Sequence, residues 1–322
     1  ERVVWAFTEH HGIAYAASIG GVGTIIGSPP NLFLVSYIRE ALGRDITFAQ
    51  WMAMGLPLVL VFLPITWWLL TRVLFPLPSR ALDGADAIRA ACAALKPMSA
   101  AERAVAVVFG AAALAWIGRA WLTGVTVAGV RPLAGLTDAG IAMTAALSLF
   151  IIPARSTGAG AVMRWRDLEA MPWGILVLFG GGLSLAAAIQ ANGVDAFLGR
   201  QAAAWQGMPS WLIIVRVTTV VIFLTELTSN TATAATFVPI LGGVAPGLGV
   251  HPYLLIVPAA LAASWAFMLP VATPPNAIVF GSGHVSVSDM RRAGLRLNIA
   301  GVVVLTGLAY FVALPLLGVP LA

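Results

Sequence analysis

The sequence predicts an all-α polytopic membrane protein with inverted repeats, broken helices and a re-entrant helical hairpin. Three observations carry that expectation. Of the 322 residues, 60% are hydrophobic and only 10% charged, with a mean hydropathy of +0.93, a balance that soluble domains do not reach. Two apolar runs are interrupted by the same tripeptide, Pro-Pro-Asn, at 29–31 and 274–276. A third apolar run contains "TELTSNTATAATFVPI", residues 225–240, where hydroxyl groups, an Asn and a Glu stand in a setting in which lipid would penalise each of them.

A membrane span needs about 20 predominantly apolar residues. Candidates are 12–39, 51–75, 104–122, 137–153, 171–190 and 294–317. Less regular are 210–228 and 231–247, which meet at Thr-Ser-Asn-Thr, and 252–282, interrupted at "VATPPN"; the first span has its own interruption at "IGSPPN". The 33 glycines and 20 prolines are spread through these runs, which bundles tolerate because neighbouring helices satisfy the freed backbone groups. Basic residues cluster at Arg72, Arg80, Arg89, Lys96 and Arg103, between Arg155 and Arg166, and between Arg291 and Arg296. The positive-inside rule places the loops 72–103, 154–169 and 284–296 in the cytoplasm. That parity holds whether 210–247 is two spans or a hairpin. The polar tip favours a re-entrant hairpin, because irregular backbone at membrane depth survives only against protein or a wet cavity.

The stretches "ASIGGVGTIIGSPPNLFLVSY" (17–37) and "ASWAFMLPVATPPNAIVFGSG" (263–283) share an Ala-Ser start, a flexible run, Pro-Pro-Asn and an apolar exit, with the tripeptides 274 − 29 = 245 residues apart. Each double proline must end one helix and is well placed to start the next. Charges and span count orient the first break inside to outside and the second outside to inside. Inverted broken helices of this kind mark the midplane site of a secondary transporter.

Other readings are weaker. A net charge of +5 that comes from short loops bears on topology and offers no nucleic-acid site. The single Cys92 excludes a disulfide framework or a thiolate cluster. "FGGG" (179–182) lacks the Lys and Ser/Thr of a phosphate loop and suits close helix packing. His10 and His11 are adjacent and so poorly spaced for one metal, and His251 and His284 lie at loop edges. An intramembrane enzyme would need a base or metal ligands inside a span, a proton antiporter an Asp pair at the breaks, and a channel one loop repeated by symmetry. Glu226 is the only acid in its stretch; pairing inside the bundle, tuning of sodium affinity and a water-facing structural role all remain open.

The motifs "AYAASIGGVGTIIGSPPN" (14–31), "PWGILVLFGGGLSLA" (172–186), "TELTSNTATAATFVPI" and "VATPPNAIVF" (271–280), in this order, resemble the divalent anion/sodium symporter family. The resemblance implies carriage of a C4-dicarboxylate such as succinate, malate or fumarate, of citrate, or of sulfate. It further implies Na+ as coupling ion, no other cofactor, a lipid bilayer around a homodimer, and the inner membrane of a bacterium as the setting. Sodium-independent exchange on the same fold is the alternative. On this mapping 1–75 is the end of the first repeat, 76–103 a cytoplasmic linker and 104–322 the second repeat, with the hairpin at 210–247. The chain starts at Glu1 without an initiator Met or a leader pattern, so a fragment is expected, with the first repeat's own Ser-Asn-Thr hairpin upstream. Carried over by position, the resemblance implies sodium ligation by Thr225, Ser229, Asn230 and the Ala272 carbonyl, and at a first site by the Gly27 carbonyl. Anion contacts would come from Ser229, Asn230, Thr231, Ser28, Thr273 and Pro274. Ser28 stands where the family commonly has Thr.

Overall fold

Proline decides where the first helix stops and the second begins. In the computed structural model, which describes residues 2–76, 89–90, 92–127, 129–154, 160–171, 173–194, 197, 200, 205–283 and 285–320, α1 (Arg2–Gly21) ends well before the double proline. A single 3-10 turn (Ile25–Gly27) follows, and Ser28 is extended at φ −149° and ψ 148°. Then α2 (Pro29–Leu42) starts with Pro29 at its first position, where a missing N–H costs nothing. Gly43, at φ 64°, closes α2 in the left-handed conformation that glycine adopts without strain. Arg80, Arg155 and His284, together with the side chains of His10 and His11, lie outside the described residues.

The remaining helices are α3 (Phe48–Trp68), which continues as a π-helical turn to Leu74, α4 (Ala100–Leu122), α5 (Asp138–Ile151), α6 (Trp173–Ala191), α7 (Ser210–Thr225), α8 (Asn230–Leu248), α9 (Tyr253–Ala263), α10 (Pro274–Gly281) and α11 (Val287–Leu308). Among the described residues four helical stretches are long and apolar enough to cross a membrane: Phe48–Leu74, Ala100–Leu122, Asn230–Leu248 and Val287–Leu316. The protein is an all-α polytopic membrane protein. The expected span 137–153 is shorter than predicted, since the 14 residues of α5 reach only about 21 Å at 1.5 Å per residue.

The second break is wider than its prolines suggest. The sequence places the interruption at 271–276, whereas α9 ends at Ala263 and non-helical backbone runs from Ser264 to Thr273. In an unbroken helix the N–H of Phe267 would bond the carbonyl of Ala263. Here Glu226 takes the N–H groups of Phe267, Met268 and Leu269, and the Ala263 carbonyl accepts from the Thr225 hydroxyl. An acid 41 residues upstream of Phe267 thus holds the N–H groups just past the helix end, which falls 273 − 263 = 10 residues before Thr273.

Two units divide the described residues. One comprises 1–46, 50–77 and 173–322, and the other 47–49 and 78–172. In the first, every residue of α9 is buried, and α9 packs against α2, α7, α8 and α11. A half-helix of 11 residues covers about 16 Å, half a bilayer core. It forms the centre around which the hairpin arms α7 and α8 are laid. In the second unit α4 and α5 pack together, with a capping box of Ser99 and Glu102 at the start of α4. Arg119 pairs with Asp138 at 3.2 Å, and the Trp116 indole donates to the Asp138 carbonyl while stacking on Phe48.

Of the "FGGG" glycines, only Gly182 is in tight quarters. A Cβ there would meet the Phe33 ring at 2.8 Å and Ala235 at 3.0 Å, whereas Gly180 and Gly181 face open space. Close packing is therefore the role of Gly182, and Phe179 adds an edge-to-face contact with Phe33. Gly182→Ala should destabilise the protein by about 1–3 kcal/mol through overpacking, and Gly181→Ala should stabilise it by up to about 1 kcal/mol. Thermal unfolding in detergent checks the pair.

Candidate functional site

Both breaks and the hairpin tip line one cavity of about 590 Å³. The first break contributes Gly27 and Ser28, the tip Ser229, Asn230 and Thr231, and the second break Ala272, Thr273 and Pro274. The structure thus gathers every predicted site residue except Thr225, which stands directly behind the tip, fully buried. Ser18 and Ser264 also line the cavity and were not singled out in the sequence. Their signal was present in the Ala-Ser that opens both repeated stretches.

The two breaks are joined here. The Ser28 and Ser264 hydroxyls are 3.0 Å apart, linking the first break to the start of the second. Thr273, the counterpart of Ser28, instead turns its hydroxyl to the N–H of Asn276 and caps α10. The backbones at the first break approach so closely that a Cβ on Gly27 would collide with the Gly21 carbonyl, so neither glycine can carry a side chain.

Donors and acceptors are distributed unequally. Helices α2 and α10 both start with two prolines and have no N–H at their first two positions. At the start of α8 the Ser229 side chain makes no capping bond, which leaves first-turn N–H groups and the positive end of the helix dipole at the cavity. That is an anion-binding arrangement. Behind the tip, Thr225 Oγ1 lies 2.8 Å from Asn230 Oδ1 and 3.1 Å from the Ala263 carbonyl. One hydroxyl proton serves two acceptors, and the resulting cluster of oxygens suits a hard cation. The residues that line the cavity include no Asp or Glu, so the oxygens they offer a cation are neutral.

Three hydroxyls away from the cavity bond to their own helix. Thr71 donates to Trp67, Thr144 to Gly140, and Thr219 to Val215, each four residues back. His251 lies at the loop edge before α9, accepts the Tyr253 N–H at Nδ1 and packs edge-on to its ring. Burial and the nearby Arg44 hold its pKa below the usual range.

Glu226 does not face water, contrary to one of the sequence readings. It is 3% exposed. Its carboxylate accepts the N–H groups of Phe267, Met268 and Leu269 at 2.7, 2.9 and 3.0 Å, and the Asn298 amide at 2.8 Å. Three successive orphaned N–H groups of a broken helix form a concave seat for an anion, and here the chain supplies its own. The carboxylate ties the hairpin to the second break and to α11.

A polytopic bundle with a hairpin and two broken helices converging on one uncharged cavity defines the class. The chain belongs to the divalent anion/sodium symporter family that its motifs resemble: the sodium:sulfate symporter transmembrane region matches residues 10–317. It is 40% identical over 309 residues to the sodium-dependent dicarboxylate transporter SdcS of Staphylococcus saprophyticus, covering 95% of this chain and 59% of that protein. SdcS of Staphylococcus aureus strain NCTC 8325 matches at the same identity and coverage. The chain therefore spans 59% of the length of these curated relatives.

Glu226→Gln replaces an acceptor-only group with an amide whose NH2 cannot accept. It should destabilise the protein by about 2–3 kcal/mol, the worth of charge-assisted hydrogen bonds lost in a buried site. Combined with Asn298→Ala in a double-mutant cycle, the thermal unfolding shifts should be clearly non-additive.

Proposed function

We propose that this chain forms the substrate-binding part of a secondary transporter that moves a divalent anion across the membrane together with Na+ by alternating access. The anion is a C4-dicarboxylate such as succinate, malate or fumarate, or else citrate or sulfate. The observation that carries the reading is the composition of the cavity wall: Ala, Ser, Gly, Pro, Ile, Asn, Thr and Val, with no Lys, Arg or His among the lining residues. A divalent anion cannot be desolvated in such a place without compensating charge. Bound sodium ions supply it, and anion binding then depends on sodium. The names of the relatives support the dicarboxylate and the sodium dependence.

In this reading Thr225, Ser229, Asn230 and the Ala272 carbonyl hold one sodium ion, and the Gly27 carbonyl contributes to another. Ser229, Asn230 and Thr231 meet the anion at the N-terminus of α8, with Ser28, Thr273 and Pro274 forming the opposite wall. The cavity volume lies within the range of small-molecule sites. The hairpin 210–247 is re-entrant, its tip at the depth of the breaks, and the loops 72–103, 154–169 and 284–296 face the cytoplasm.

Uptake of labelled succinate, citrate and sulfate into proteoliposomes, with and without an inward sodium gradient, tests this reading. Sodium-driven uptake of at least one anion is expected, and absence of uptake under every condition would refute it. Uptake indifferent to sodium would instead favour exchange. Asn230→Ala should abolish uptake while leaving the protein monodisperse and helical.

A further inference from the structure

We propose that Asn31 and Asn276, the last residues of the two Pro-Pro-Asn motifs, are the positioning residues that set the cation-facing carbonyls of the two breaks. Both are fully buried. The Asn31 amide donates to the carbonyls of Gly21 and Thr24 at 3.0 and 2.8 Å, residues 10 and 7 positions upstream. The Asn276 amide donates to those of Ala266 and Leu269, both at 3.1 Å, again 10 and 7 positions upstream. The same bonds recur at the 245-residue offset of the two motifs, Gly21 with Ala266 and Thr24 with Leu269.

This repetition has a physical purpose. A helix that stops leaves carbonyls without partners, and inside a membrane they cannot turn to water. Each Asn reaches back with both amide hydrogens to two carbonyls at or beyond the helix end, of which those of Thr24 and Leu269 also accept the backbone N–H groups of Gly27 and Ala272. The chain between the anchors, 24–31 in one repeat and 269–276 in the other, contains Gly27 and Ser28, or Ala272 and Thr273. With their neighbours tied inward, the carbonyls of Gly27 and Ala272 are left for the cavity. Asn is required because each side chain must donate twice. An Asp would set an oxygen against two carbonyl oxygens, and a flipped amide would do the same. Each Oδ1 is buried without a hydrogen-bond donor among the described residues, a desolvation cost tolerated for the two bonds on the other side of the amide.

The surroundings of the two breaks agree with this assignment. The Val22 carbonyl accepts from the Trp51 indole, and its counterpart at the 245-residue offset, the Phe267 carbonyl, accepts from the Tyr15 hydroxyl. A Cβ on Gly55 would press on the Val22 carbonyl, and one on Gly294 on that of Phe267. The Asn is a clamp that the two breaks share residue for residue, beside the bond of the Gly27 N–H to the Thr24 carbonyl and its counterpart from Ala272 to Leu269.

The assignment rests on the sodium-coupled reading above, and its test separates the two. In the full-length protein, Asn31→Ser, Asn276→Ser and the Asp variant at each position are compared with wild type in two assays. One is the sodium-dependent rise in melting temperature without substrate. The other is the half-saturation for sodium and for succinate in uptake. If wild type itself shows no sodium-dependent stabilisation and no sodium-driven uptake, the sodium reading fails, and this assignment with it. Otherwise, folded variants should need about tenfold more sodium, the effect of one well-placed hydrogen bond. Their maximal rate and their half-saturation for succinate at saturating sodium should stay close to wild type. Variants with unchanged sodium half-saturation would overturn the assignment. So would failure of both Ser and Asp variants to fold, which would make the residue a requirement of the fold.

Discussion

Two helices break within the bundle, and each leaves carbonyl and N–H groups that lipid could not satisfy. Their satisfaction is the constraint on which the rest of the first unit depends. At the second break Asn276 takes two carbonyls and Glu226 three N–H groups, so opposite faces of the same ten-residue segment are held by an amide and a carboxylate. At the first break Asn31 and the Trp51 indole share the carbonyls. Around these anchors the wholly buried half-helix α9 supplies the apolar packing that keeps the hairpin arms in place.

The cavity follows from that arrangement. Because the polar groups of the breaks are bound largely to one another, what remains at the wall is a sparse set of hydroxyls, an amide, two carbonyl-bearing loop residues and the first turn of α8. The charged group closest in sequence, Glu226, is turned away from substrate and spent on backbone. A site built without fixed cations binds an anion only with mobile ones. Such a site can release both together when the cavity changes sides, whereas a fixed Arg or Lys would hold the anion after the sodium had left. The proposed coupling is thus a consequence of an uncharged wall.

Much of this was legible in the sequence because proline and glycine act locally. The double prolines located both breaks, and Thr-Ser-Asn-Thr located the hairpin turn, where α7 ends at Thr225 and α8 begins at Asn230. The resemblance to a family then named the cavity residues, and the structure assembles all but Thr225 around one cavity. Long-range bonds were not legible. Nothing near Ala263 announces that α9 ends there, because the groups just past its end are held by Glu226, in the turn after α7. The partner of Ser28 is Ser264, 236 residues away. Asn31 and Asn276 read only as parts of a motif until their upstream carbonyls appeared in space. The expected length of 137–153 failed for a different reason: apolar composition continues past Ile151, but the helix does not, and Ile152 is extended.

The central claim, that the anion is bound only with sodium because the wall carries no charge of its own, is tested most directly by calorimetric titration of succinate into the purified full-length protein. The titration is run in sodium chloride and in choline chloride at equal ionic strength. The account predicts saturable binding in sodium and none in choline. Equal affinity in the two salts would contradict it.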